Sequence, residues 1–134
     1  MNLFLETVVI NAQDMEKMKD FWAAALGFEV DFANEGFALL RNPRSEGNTK
    51  LGLQHTDKPK TSLNRFHVDL ITDDGATEVK RLEVLGAKVI HWTYPEPNPG
   101  WVVMADPEGN EFCVSTVLPE EREKFREIYK PSQP

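Results

Sequence analysis

Residues Asp106 to Val114 read "DPEGNEFCV". The Asp-Pro opening and the Gly109-Asn110 pair make a tight polar turn. After it, Glu111 and Cys113 alternate with Phe112 and Val114. On a strand this puts two potential metal ligands on one face and two apolar side chains on the other. The stretch therefore predicts a strand that packs with one side and lines a cleft with the other.

Working outward, Trp101 to Ala105 and Lys88 to Thr93 read as strands, and Glu111 to Ser115 as the strand after the turn. Ahead of them, Asp73-Asp74-Gly75 opens a helix carrying Val79, Leu82 and Leu85, which Leu85-Gly86 ends. Phe66 to Ile71 alternates cleanly as a further strand. The same order occurs earlier. Leu3 to Ile10 reads as a strand. Asp14 caps a helix with Met15, Met18, Trp22 and Ala25 at helical spacing, and Gly27 suits a left-handed stop. Phe28 to Phe32, Phe37 to Arg41 and Lys50 to His55 read as three short strands, with turns at Gly36 and at "NPRSEGN", 42–48. Asp14 and Asp73 lie 59 positions apart, as do Gly27 and Gly86. Each half is strand, helix, strand, strand, strand, which points to an internal duplication.

A single domain over residues 1–134 is expected: a first βαβββ unit at 1–55, a linker at 56–65, a second unit at 66–118, and a C-terminal helix and tail at 119–134. In the tail, Phe125, Ile128 and Tyr129 make a narrow apolar stripe on a charged helix, a candidate contact with the body or a second subunit.

The composition, 40% hydrophobic and 28% charged, is that of a globular protein. A formal net charge of -7 argues against nucleic acid as a partner, since phosphate contacts need clustered Lys and Arg. No apolar run reaches the ~18–20 residues of a membrane-spanning helix. The N-terminus has no basic region or small-residue cleavage site of a signal peptide, and one cysteine permits no internal disulfide. A cytoplasmic protein is expected. Phosphate-binding glycine motifs, a G-x-S-x-G elbow and paired C-x-x-C motifs do not occur.

"FWAAALGFEV", "RFHVDLITDD", "RLEVLGAKVI" and "WVVMADPEGNEFCV", in tandem βαβββ order, resemble the vicinal oxygen chelate superfamily. That group includes glyoxalase I, extradiol dioxygenases, fosfomycin resistance enzymes and bleomycin resistance proteins. Within it the chain is most similar to glyoxalase-like domains of unassigned function. The resemblance implies an α+β fold of two half-barrels around an open cleft, and a homodimer with clefts at or near the interface. It also implies one metal ligand on the first and last strand of each unit.

Carried onto this sequence, those positions are Thr7, Gln54, His67 and Cys113. Thr is a poor ligand for Zn, Ni or Fe, and Cys113 stands where relatives usually carry Glu. The reading therefore assigns no cofactor. A Zn, Ni, Mn or Fe site built on His67, Gln54 and Cys113 is the alternative, with Glu111 substituting under a register shift. Each residue also has a plainer role. His67 and Gln54 serve as hydrogen-bonding wall residues, Cys113 as a small apolar one, and Glu111 as the partner of a surface cation. Asp69 shares the His67 face and with Glu111 would make the cleft acidic. His55 and His91 are assigned to solvated edges. Trp92, Tyr94 and Trp101 surround the stiff loop "YPEPNPG", 94–100, and Trp101 would share the cleft face with Val103.

Three functions stay open. The first is a small-molecule-binding protein of the glyoxalase/bleomycin-resistance type, lacking the standard metal set, with Thr7, Gln54, Trp101, Val103 and Cys113 lining the ligand. The second is a metal-dependent lyase, isomerase or dioxygenase. The third is a metal-free acid–base enzyme using Glu111 or Asp69 with His67.

Overall fold

The computed structural model describes residues 5–44, 49–62, 64–92, 101–116 and 120. The elements run β1 (Thr7–Ala12), α1 (Met15–Leu26), β2 (Glu29–Ala33), β3 (Phe37–Arg41), β4 (Lys50–His55), β5 (Asp69–Thr72), α2 (Gly75–Leu85), β6 (Lys88–Trp92), β7 (Trp101–Ala105) and β8 (Glu111–Thr116). They form two four-stranded sheets, ordered β1-β4-β3-β2 and β5-β8-β7-β6. In each, the first strand pairs in parallel with the last and the other pairings are antiparallel. The expected α+β duplication is observed, and neither sheet closes into a barrel.

Local chemistry explains the helix limits. The Asp14 carboxylate accepts the Lys17 N–H at 3.0 Å, filling one of the donors a helix start leaves free. Gly27 ends α1 at φ 65°, a left-handed conformation that glycine adopts without a Cβ clash. In the second unit Asp74 is the cap, accepting both the Thr77 N–H and its hydroxyl. The caps, Asp14 and Asp74, are therefore 60 positions apart, one more than the Asp14–Asp73 spacing read from the sequence. The starts of the two helices differ by 60 positions and their glycine stops by 59. That fits α2 being one residue shorter, 11 against 12.

Two strand starts also differ from expectation. Leu5 is exposed and β1 begins at Thr7. Phe66 is 91% exposed, and β5 begins at Asp69 because ladder pairing with β8 starts there, just after the Cys113 N–H bonds the Val68 carbonyl at 3.0 Å. The loop at 94–100, the apolar stripe of the tail, the side chain of Trp92 and residues 1–4 lie outside the described residues.

The core sits between the helices and one face of each sheet. Met18, Phe21, Trp22 and Ala25 of α1 are buried with Leu40, Leu51 and Leu53 of the first sheet and Met104, Phe112 and Val114 of the second. Trp22 packs against Phe112 with ring centroids 5.2 Å apart, so a helix of one unit meets a strand of the other. The units are also joined by polar contacts. The Arg81 guanidinium on α2 donates to the Ala24 and Ala25 carbonyls at the end of α1, at 3.1 and 2.8 Å. That supplies the cationic partner which the last turn of α1 lacks in its own sequence.

Candidate functional site

Strand alternation decides which side chains leave the core. On β8, Phe112 and Val114 are buried, so Glu111, Cys113 and Ser115 face the open side. Register carries that face across the sheet. Cys113 lies beside Asp69 on one flank and Val103 on the other, and Val103 lies beside His91. The next row is Ile71, Ser115 and Trp101. Ile71 and Trp101 are 58% and 44% exposed, two strands apart. Trp101 and Val103 thus share the face expected of them.

His67, Asp69 and Cys113 converge on that face. Their ligand atoms, one from each, all lie within 4.8 Å of one another. The His67 Nε2 is 3.2 Å from Asp69 Oδ1. Burial, the Asp69 charge and the hydrogen bond the thiol gives Asp69 all push the Cys113 thiol up, so it stays protonated at neutral pH. An uncoordinated Cys113 is therefore a poor nucleophile.

Glu111 occupies the same face but is engaged. Its carboxylate accepts from Lys60 Nζ at 3.0 Å and from the Asn64 N–H at 3.4 Å, while Asn64 Nδ2 donates to the Glu111 carbonyl. Partial burial pushes its carboxyl up. Lys60 and the backbone donors pull it further the other way, so the net direction is down. Glu111 is thus held as an anion against Lys60. The linker, read only as a connector, supplies both partners, and no local pattern announces them.

The first sheet differs at the matching places. By register Val9 faces Gly52 as Asp69 faces Cys113, and Thr7 precedes Val9 as His67 precedes Asp69. Thr7, Val9 and Gly52 therefore stand where the second unit has His67, Asp69 and Cys113. A Cβ on Gly52 would lie 2.8 Å from Phe37 Cζ, 3.1 Å from Thr7 Cγ2 and 3.3 Å from Val9 Cγ2. The space of a ligand is filled by hydrocarbon. Gln54 is exposed opposite Asn11, whereas Thr7 lies opposite Lys50. Thr7 and Gln54 are thus four pairs apart along the ladder, about 13 Å at ~3.3 Å per residue. The superfamily's four-position metal set does not fit this donor arrangement: His67 and Cys113 meet, and Thr7 and Gln54 do not share a position.

Two recesses adjoin the second unit. One of about 320 Å³ is bounded by the linker, Asn11 and the turn residues Glu108 and Asn110. A larger groove of about 810 Å³ follows the seam between α1 and α2 and reaches Asp69 and Ile71. His55 is half-exposed, 3.7 Å from Asp57 at the end of β4, a solvated edge as expected. His91 is exposed too, but it stands in the Cys113–Val103 row, a position that only the sheet register reveals.

The repeated βαβββ plan, with its duplicated strand order, is the vicinal oxygen chelate fold. Residues 7–115 match the family model described as a glyoxalase-like domain, and the chain belongs to that family. Among solved structures it is similar to a glyoxalase/bleomycin resistance protein/dioxygenase family enzyme from Burkholderia phytofirmans PsJN. The identity is 22%, over 85% of this chain and 98% of that one, with a TM-score of 0.69. It is also similar to TnmS3, an antibiotic binding protein from Streptomyces sp. CB03234, at 24% identity over 86% and 97% of the chains and a TM-score of 0.63. The fosfomycin resistance protein FosX of Listeria monocytogenes aligns at 12% identity over 93% and 98%, with a TM-score of 0.68. No curated sequence matches the chain significantly. Among the described residues, no helix is long and apolar enough to cross a membrane.

Proposed function

We propose that the protein binds a small organic molecule against the open face of the second sheet, without the superfamily's standard metal set. The observation that carries this reading is the exposed Trp101–Ile71 row beside the polar cluster of His67, Asp69 and Cys113. Apolar walls with a few convergent polar groups are how proteins hold small molecules. Asp69 gives the face a preference for cationic ligands. The antibiotic-binding role in the description of TnmS3 supports the same class of ligand. Among the described residues β1 and β5 are edges of open sheets, so a second copy of the chain is the natural cover, and the reading includes a homodimer in the cytoplasm.

Tryptophan fluorescence of the full chain, titrated with planar cationic and neutral aromatic compounds, tests this. Saturable quenching that Trp101→Phe abolishes is expected. Quenching that persists in Trp101→Phe, or a panel with no saturable response, overturns it.

One observation favours a catalytic reading. The His67–Asp69 pair is within hydrogen-bonding distance on an open face, which suits proton transfer. In that reading Asp69 orients His67, and turnover falls in His67→Ala but survives chelation.

A further inference from the structure

We infer that the recess between the linker and the turn before β8 binds a small tetrahedral oxyanion, either phosphate or the phosphoryl group of a phosphate monoester. None of its lining residues belongs to the His67, Asp69 and Cys113 cluster, so it is a site distinct from the sheet face.

Charge carries the inference. The chain as a whole stands at -7, yet residues 56–65, "TDKPKTSLNR", set Lys58, Lys60 and Arg65 against Asp57 alone, a local balance of +2. Such a patch draws anions that the rest of the surface repels. Lys58 is exposed and lines the recess. Among the described residues no carboxylate pairs with it. Glu108 is the one acidic side chain among the described lining residues, and it is already engaged. Its two oxygens take the Gln13 and Asp14 N–H groups at 2.7 and 2.8 Å. Glu111, close by, is likewise held by Lys60 and Asn64.

The donors are of the kind an oxyanion needs. Lys60 gives one N–H to Glu111 and one to the Ser62 carbonyl, and an ammonium has a third. Thr56 Oγ1 accepts the Lys58 N–H at 3.2 Å, which leaves its own proton to give. Thr61, Ser62 and Asn11 add two hydroxyls and an amide to the lining. Ammonium and hydroxyl donors set around a recess suit a tetrahedral oxyanion. A planar carboxylate is better matched by the fork of an arginine, and among the described residues no arginine lines the recess. The volume of about 320 Å³ is near the lower end of ligand sites, room for a phosphoryl group with a short carbon chain.

The frame is in place before a ligand arrives. Glu111 fixes Lys60 and Asn64, the Thr56 N–H bonds the Ala12 carbonyl at 2.9 Å, and Gln13 Nε2 donates to the Asp57 carbonyl at 3.3 Å. Little of the linker is left to be ordered on binding. The walls come from β1, the linker and the turn before β8, so a bound oxyanion bridges the two units.

Calorimetric titration of the full chain with inorganic phosphate, at fixed ionic strength in a phosphate-free buffer, tests the site. Saturable binding of one phosphate per chain is expected. Lys58→Gln removes one charge-assisted contact and should weaken binding roughly tenfold. Lys80→Gln makes the same charge change on the exposed side of α2 and should leave binding unaltered. Both side chains are exposed, so neither change threatens the fold. A parallel titration with glycerol phosphate separates the two sources. Tighter binding than phosphate assigns the site to a monoester, and equal or weaker binding assigns it to the free ion. No saturable binding of either compound, or equal losses in Lys58→Gln and Lys80→Gln, would overturn the assignment. No aromatic compound is present, so failure here is separate from failure of the fluorescence titration.

Discussion

The carboxylate of Glu108 accepts the backbone N–H of Asp14 at 2.8 Å, across 94 residues of sequence. A second oxygen takes the Gln13 N–H at 2.7 Å. The turn of the second unit thus holds the start of the first unit's helix, where an anion is favoured by the helix dipole. Glu108→Ala should lower the unfolding free energy by about 1–2 kcal/mol, the usual cost of a lost helix cap. Urea denaturation measures it. A change within error would show that solvent replaces the carboxylate freely.

Asp106 is 2% exposed and accepts from Trp22 Nε1, Asn110 Nδ2 and the N–H groups of Glu108 and Asn110. Burial holds its carboxyl above the ordinary range, against the pull of these donors, Asn110 first. The folded state therefore binds the proton more tightly than the unfolded chain. The stability this group contributes is full below its ordinary value and is lost as pH rises through the raised folded value. In acid the carboxyl itself carries an O–H, so Asp106→Asn adds one further N–H facing other donors, at a cost of about 1–2 kcal/mol there. The gap to the wild type should narrow as pH rises. Paired denaturation curves from pH 3 to 8 test the sign, and a widening gap would contradict it.

Gly52→Ala should destabilise by about 1–2 kcal/mol through overpacking against Phe37 and Thr7. Phe37→Leu in the same chain should recover part of the loss, because the clash is with the ring tip. A simple sum of the two single effects would refute the proposed contact.

Cys113 should react slowly with iodoacetamide at pH 8 in the native, metal-free protein and faster after unfolding. Asp69→Asn removes a neighbouring charge that holds the thiol protonated, so native alkylation should accelerate. Mass spectrometry over time gives both rates. A slower variant would reverse the assigned electrostatics.

Helices and the order of elements along the chain were legible because their signals are local: capping aspartates, glycine stops and apolar spacing. β5 was read three residues early because Phe66 looks like a strand residue, and only pairing with β8 shows that it lies outside. His67 and Cys113 were read from the family pattern, and Asp69 from strand alternation. That Gln54 sits four pairs from Thr7 was not readable, since a parallel register leaves no local mark on either strand. The partners of Glu108 and Asp106 were hidden for the same reason. Both carboxylates lie in a stretch that reads as an ordinary turn, and part of what they bind comes from the other half of the chain.

The irregular ladders between β2 and β3 and between β6 and β7 shift register between Val30 and Phe32 and between Val89 and His91. The interruptions fall 59 positions apart, each on the strand after the helix and at the sheet edge. An extra residue at the same place in two copies is most simply inherited from one ancestor. The kink then predates the doubling of the gene, and the Thr7/His67, Val9/Asp69 and Gly52/Cys113 differences postdate it. The backbone is the older record, and the chemistry of the second unit, or its erasure from the first, is the later text.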